Sequence, residues 1–142
     1  ARLATRMLAF PFPVIIACNG HGLAMGGVFL LSADYRIGAE GDYKIGLNEI
    51  ALGMTMPPFA RIICTHALTP SYLKRAVMQA EIFTPENACN AGFLDETVVE
   101  PRLLERAKEK AETLSKIDMR AFGKAKLSLR KEMLINLNNS LK

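Results

Sequence analysis

The sequence predicts an α/β fold, and three observations carry that reading. Val14-Ile15-Ile16-Ala17-Cys18 is a short, continuous apolar run of the kind found in buried strands. It feeds directly into a glycine-rich turn, Asn19 to Gly27, and then into an apolar run from Val28 to Leu31 with the composition of a buried helix. After Gly53 the chain turns largely helical, with short strand-like pieces only near Ile82-Phe83 and Glu96 to Val99.

In chain order, the first element is helical: Leu3, Met7, Leu8 and Phe10 are apolar, with Arg2 and Arg6 between them, and the pattern is already under way at Ala1. The strand Val14 to Cys18 follows. The glycine turn then opens a helix whose first backbone N–H groups lack intrahelical partners and carry the positive end of the helix dipole. A strand, a glycine loop and a helix N-terminus in that order can hold an anion or stabilise an oxyanion. The competing reading is that the glycines only permit a tight turn and close packing. The spacing Gly20-x-Gly22-x-x-x-Gly26, with Glu40 further on, also approximates a dinucleotide-binding loop. A doubly wound fold would keep alternating strands and helices, and the helical character after Gly53 weakens that alternative.

The next segment, Tyr43 to Gly53, holds one carboxylate, Glu49, among apolar and glycine residues. A carboxylate held away from water gives up its charge more easily and takes a proton from carbon more readily, which suits a general base. The competing reading is a solvated glutamate or a helix cap. Pro57 is placed to open a helix through Phe59, Ile62 and Ile63, because the missing N–H costs nothing at a first helical position. Phe59 and the nearby methionines read as core first and as an acyl pocket second. Thr84 as N-cap, Pro85 at the first position and Gly92 after the last mark a short helix. From Pro101 onward Leu103, Ala107, Ala111 and Leu114 form one helical face with charged residues around it. Residues 1–100 are expected to belong to an α/β core, and 101–142 to a helical region of the same domain.

The composition fits one globular domain: 142 residues, 50% hydrophobic and 23% charged. The net charge is a modest +4. Basic residues gather late, at Lys124, Lys126, Arg130 and Lys131, beside Phe122, Leu127, Met133 and Leu134. They read as a solvated helix face, and the absence of interleaved aromatics argues against a nucleic-acid partner. Cys18, Cys64 and Cys89 are odd in number and sit in apolar contexts. They are expected to be buried free thiols in a reducing compartment such as the cytoplasm, with neither a disulfide framework nor a metal site. His21 and His66 have no partner acid or nucleophile at a recognisable spacing and read as structural. No apolar run approaches membrane-spanning length, so no membrane partner is expected.

Taken together, these segments resemble the crotonase, or enoyl-CoA hydratase/isomerase, superfamily. Pro13 to Gly27 resembles its strand and oxyanion loop, P-V-I-A-A-V-N-G-x-A-x-G-G-G, and Asp34-Tyr35-Arg36-Ile37 resembles its C-D-x-R-I junction. Tyr43 to Gly53 is similar to its F-x-x-P-E-x-x-x-G segment, and Thr84 to Leu94 to its A-x-x-A-x-x-x-G-L-V helix and strand. The order and separation of the motifs carry the likeness from about Pro13 to Val99. The resemblance implies the crotonase-like (ClpP/crotonase) fold, with an acyl-CoA thioester as substrate and no cofactor beyond the coenzyme A the substrate carries. It also implies a homo-oligomer, trimer or hexamer, built partly through the C-terminal helices. Family members are longer at the N-terminal side, so further core strands and a second oxyanion donor are expected upstream of Ala1.

Carried over by position, the oxyanion N–H falls on Met25, and Glu49 falls on the base. Leu23, Ala24, Val28 and Pro57 fall on substrate-binding positions. Hydratases of the family use a second glutamate where this chain has Val28, which can neither polarise water nor deliver a proton. The mitochondrial-type enoyl-CoA delta isomerases carry an I-G-L-N-E segment like Ile45 to Glu49, and a non-acidic residue at the Val28 position. Met54-Thr55-Met56-Pro57-Pro58-Phe59, in place of a glycine-rich turn, departs in the same direction. The resemblance therefore implies a 3-enoyl to 2-enoyl isomerase working with one base. A hydratase, or a non-catalytic relative that binds acyl-CoA or only assembles, is the alternative.

Overall fold

The computed structural model describes residues 1–141; Lys142 lies outside the described residues. Helix α1 spans Arg2–Ala9 and strand β1 spans Ile15–Cys18. Strand β2, Gly22–Leu23, leads into helix α2, Met25–Ser32, and then strand β3, Tyr35–Ala39. The pair β1 and β3 is parallel, with Ile15 opposite Tyr35 and Cys18 opposite Gly38. Parallel neighbours need a crossover, and α2 supplies it. Strand β4, Ile45–Gly46, is parallel to β2 and antiparallel to β5, Ile82–Phe83, which makes a second three-stranded sheet. The first sheet is completed by β6, Glu96–Val98, parallel to β3.

Helix α2 is apolar all round, as a helix enclosed on every side must be. It touches α1, β2, β4 and helix α3, Pro58–Ala67. Its Val28, Leu30 and Leu31 join Leu8 of α1 and Ile63 of α3 in the main core. The other face of the first sheet is covered by helix α6, Leu103–Ser115, which buries Leu103 against Ile37 and Ala39. Between them lie α4, Pro70–Leu73, continued by a π-helical stretch over Lys74–Met78, and α5, Pro85–Ala91. Thr84 Oγ1 accepts the Asn87 N–H and Gly92 takes the left-handed conformation, so α5 has the ends expected of it. Helices α7, Met119–Leu129, and α8, Lys131–Ser140, close the chain; α8 packs on α3 and α1.

Four expectations need correcting. The first residue of α3 is Pro58, with Pro57 as its extended N-cap at φ −60°, ψ 148°. A residue preceding proline is sterically pushed out of the helical region, so of two prolines the second opens the helix. In α6 only the beginning of the predicted apolar face is covered: Ala107 and Leu114 are half-buried and Ala111 is exposed. Thirteen helical residues reach about 20 Å, past strands of four or five residues that extend only about 13–17 Å. Of the cysteines, Cys64 is buried but Cys18 and Cys89 are half-buried, and all three are free.

The fourth correction concerns Lys126, which is not on a solvated face. It is 5% exposed, and its Nζ donates to Asp34 Oδ2 and to the Phe12 carbonyl. Arg130 Nη2 lies 2.9 Å from Asp34 Oδ1, and its Nη1 donates to the Leu8 carbonyl. Asp34 Oδ2 also accepts the Val14 N–H at 2.8 Å. One carboxylate at the junction of α2 and β3 therefore ties α7 and its last residues to α1 and β1. Gly123 shows how closely α7 approaches: an added Cβ there would meet the Pro11 carbonyl oxygen at 3.0 Å. Leu127 and Leu129, by contrast, are 44% and 79% exposed. Among the described residues no helix is long and apolar enough to cross a membrane.

Candidate active site at the start of α2 and the loop after β4

The two segments singled out in the sequence are joined by β2 and β4. Gly22 pairs with Ile45 and Leu23 with Gly46, and the Ala24 N–H donates to the Gly46 carbonyl at 3.0 Å. The glycine loop and the loop carrying Glu49 are thus bonded backbone to backbone. Gly27, in the first turn of α2, makes this approach possible. A Cβ there would stand 2.7 Å from the Gly46 carbonyl oxygen and 3.2 Å from the Leu47 side chain.

Ala24 is the N-cap of α2 and sits at φ 49°, ψ −116°, a conformation that side-chain-bearing residues rarely adopt. Such backbone costs on the order of 1–3 kcal/mol and persists where surrounding bonds impose it. Here the Ala24 N–H is held by Gly46 and its carbonyl accepts the Val28 N–H at 3.1 Å. The consequence falls on the next residue. Met25 is the first residue of α2, so its N–H has no intrahelical acceptor, and it donates to no backbone carbonyl among the described residues. A free backbone donor at the positive end of a helix can stabilise a developing oxyanion.

Glu49 lies just after β4 and is 7% exposed. Its carbonyl accepts the N–H groups of Leu52 and Met54 at 3.0 and 2.9 Å, which folds the loop back into a 3-10 turn over Ile50–Leu52. Its carboxylate is treated differently: Oε2 is buried with no hydrogen-bond donor among the described residues. A nearly enclosed carboxylate oxygen without a protein donor is a group that general-base chemistry can use. Cys64 on α3 lies within its field; burial first, and then the charge of Glu49, push that thiol up to about 12. The thiol therefore stays protonated and presents a neutral surface to the carboxylate.

The remaining candidate positions fall around these two. Leu23 and Ala24 are half-buried on the loop. Val28 has no exposed surface and is packed into the core one turn after Met25, so its effect on the site comes through packing. Pro57 is exposed at the mouth of α3. Met56 and Phe59 are half-buried against the main core, as a core role requires, whereas Met54 is 56% exposed and belongs to no core cluster. His21 accepts the Lys44 N–H on Nδ1 at 2.9 Å, and so braces the base of the Glu49 loop; His66 is exposed on α3.

Sequence reasoning missed two features. Asn48, beside Glu49, also buries an unpartnered side-chain oxygen. The Asp34 cluster was missed too, although Gly123, Lys126 and Arg130 recur at three and four residues and so share one helix face. Among the described residues no group of three or more His, Cys, Asp or Glu side chains is arranged to hold a metal ion.

Comparison with known proteins gives a consistent picture. The family model for enoyl-CoA hydratase/isomerase matches residues 1–142. The mitochondrial enoyl-CoA delta isomerase 1 of Rattus norvegicus is 33% identical over 96 residues, covering 67% of this chain and 33% of that protein. The 2,3-dehydroadipyl-CoA hydratase of Escherichia coli is 27% identical over 140 residues, covering 99% of this chain and 54% of its own length. The crystal structure of an enoyl-CoA hydratase/isomerase family protein from Pseudomonas syringae superposes with a TM-score of 0.95 at 47% identity, over 98% of this chain and 60% of that one. The chain thus spans between a third and three-fifths of the length of these three proteins.

Proposed function

Because the chain belongs to the enoyl-CoA hydratase/isomerase family and has the crotonase-like α/β fold, we propose that it is a 3-enoyl to 2-enoyl isomerase of fatty acyl-CoA thioesters. Glu49 removes a proton from C2 of the 3-enoyl-CoA, and the electron pair spreads through the double bond to the thioester oxygen as a dienolate. The Met25 N–H meets the charge on that oxygen; one such donor is worth about 3–4 kcal/mol of barrier. The protonated Glu49 then returns the same proton at C4, and the double bond comes to rest between C2 and C3. No redox step occurs, and the only coenzyme is the coenzyme A of the substrate. Leu23, Ala24 and Pro57 contribute to the substrate surface, and Val28 packs beneath it.

The observation that carries this reading is the pairing of Glu49 with Val28. One enclosed carboxylate without a donor among the described residues is present, and Val28, the position onto which the family resemblance carries a hydratase's second glutamate, is fully buried. Two-carboxylate hydration lacks a partner there; one-base proton transfer does not need one. Hydration is the competing reaction, and the likeness to a hydratase along 99% of the chain favours testing both. Exposed Leu104, Leu129 and Ile135 on the C-terminal helices support assembly into a homo-oligomer.

The test offers 3-enoyl-CoA and 2-enoyl-CoA separately and follows absorbance of the conjugated thioester. The wild type should convert the first and add water poorly to the second. Glu49→Gln should keep acyl-CoA binding and lose turnover, because an amide cannot accept the C2 proton. Near wild-type isomerisation by Glu49→Gln, or robust hydration by the wild type, overturns the proposal.

A further inference from the structure

Between Lys44 and Arg61 the only charged residue is Glu49. The segment that follows it, Ile50 to Pro57, carries no charge at all, yet the structure divides its apolar side chains. Met56 packs against the main core, whereas Ile50, Leu52 and Met54 are 48%, 64% and 56% exposed and belong to no core cluster. A single exposed leucine is ordinary on a protein surface. Three large apolar side chains at alternate positions of one short turn form a patch, and such patches mark surfaces that take an apolar partner.

The turn is built onto the proposed base. Leu52 and Met54 donate their backbone N–H groups to the Glu49 carbonyl at 3.0 and 2.9 Å. Gly53, in the left-handed conformation at φ 71°, closes the turn by donating to the Ile50 carbonyl at 3.0 Å. The backbone is therefore fixed, and it holds the three side chains out of the core beside the residue that carries the carboxylate. At the far end of the same uncharged segment stands Pro57, exposed at the start of α3 and among the substrate positions proposed above. The patch thus runs along the chain from one part of the proposed site to another.

We infer that Ile50, Leu52 and Met54 are the surface on which the acyl chain beyond C4 lies, so that the site selects medium- and long-chain enoyl-CoA thioesters over short ones. The inference deepens, and rests on, the reading of Glu49 as the base: C2 and C4 must both come to its carboxylate, and the rest of the chain then leaves beside the turn that Glu49 begins. An alkyl chain offers neither charge nor hydrogen bonds, and this surface asks for neither. The flexible thioether side chain of Met54 adapts to chains of different length. Covering the patch also serves the chemistry, because it keeps water from a carboxylate residue that is already 7% exposed, and water is what hydration needs.

The test compares 3-dodecenoyl-CoA with 3-butenoyl-CoA, which has no carbon beyond C4, in the wild type, Leu52→Ser, Met54→Ser and the double variant. The wild type should have the higher kcat/KM on the longer substrate. The ratio of the two values should fall about fivefold in each single variant and on the order of tenfold or more in the double, through KM rather than kcat, because contacts to the unreactive tail are the same in ground and transition states. The replaced side chains are exposed in the free protein, so the fold tolerates the changes. Calorimetry with dodecanoyl-CoA and butanoyl-CoA repeats the comparison on ligands that have no double bond to move, and so does not depend on which reaction Glu49 performs. Equal affinity of the wild type for both lengths overturns the inference, as does an unchanged length ratio in the double variant. An unchanged ratio with a smaller assembly on sedimentation assigns the patch to a second copy of the chain instead. Robust hydration by a wild type whose preference for dodecanoyl-CoA is lost in the double variant overturns the isomerase reading and upholds the acyl surface.

Discussion

Removing the Asp34 carboxylate should destabilise the fold more than removing the carboxylate of Glu49. Asp34 accepts from the Val14 N–H at 2.8 Å and Lys126 Nζ at 2.5 Å, with Arg130 Nη2 at 2.9 Å. The three side chains are 3%, 12% and 17% exposed for Lys126, Asp34 and Arg130, so solvent screens them little. Burial already holds the Lys126 amine below its ordinary range, against the pull of Asp34. In Asp34→Ala that amine loses its counter-charge while staying enclosed. Breaking a buried pair from one side costs about 3–5 kcal/mol, and the stranded Val14 N–H adds roughly 1 kcal/mol. Domains have only about 5–15 kcal/mol in all, so the variant should melt on the order of 10–20 °C lower or fail to fold. The control is Asp34→Ala combined with Lys126→Met, which removes the uncompensated charge and should recover about half of the loss. Urea and thermal unfolding of the wild type and the two variants measure both numbers. A single variant within about 1 kcal/mol of wild type, or a double variant no more stable than the single, would refute the argument that the cluster closes the C-terminal helices onto α1 and β1.

Other outcomes follow from the same geometry. Val28→Glu should raise hydration of 2-enoyl-CoA where its carboxylate reaches a water near C3, at several kcal/mol of stability for an unpaired buried charge; a stable variant with unchanged hydration would remove Val28 from the account of specificity. Gly27→Ala forces a Cβ to within 2.7 Å of the Gly46 carbonyl. It should destabilise by about 1–3 kcal/mol and lower turnover by separating Met25 from the Glu49 loop, and a crystal structure with that loop unmoved would contradict this. Cys64 gives a pH dependence with a definite sign. Its thiol is raised from 9.0 to about 12 by burial and by Glu49, so the stability it contributes is complete below pH 9 and is lost as pH rises toward 12. Over that window the wild type should lose stability faster than Cys64→Ala, by up to about 1.4 kcal/mol per pH unit, and parallel urea midpoints from pH 8 to 10.5 would exclude the effect.

Much of this was legible in the sequence because it is local. The strand at Val14 to Cys18, the caps of α5 and the apolar character of α2 follow from composition and short-range stereochemistry, which act before the chain is folded. The same holds for the motif order that identified the family and for the isolation of Glu49 among apolar residues. Pro57 and Pro58 belong here too: of two consecutive prolines the second opens the helix, because the first is held out of the helical region by the ring that follows it. What only the tertiary structure decided depends on distances between segments far apart in the chain. Lys126 lies 92 residues from Asp34, and no periodicity in its own helix distinguishes a charge that meets a buried carboxylate from one that meets water. Ala111 is apolar and on the predicted face, yet exposed, because a helix outruns the strands it covers. The donor-free oxygens of Asn48 and Glu49 are a matter of what surrounds them once β2 and β4 have joined. A sequence names the groups that can accept a hydrogen bond; only the folded chain determines which of them the protein leaves without a donor.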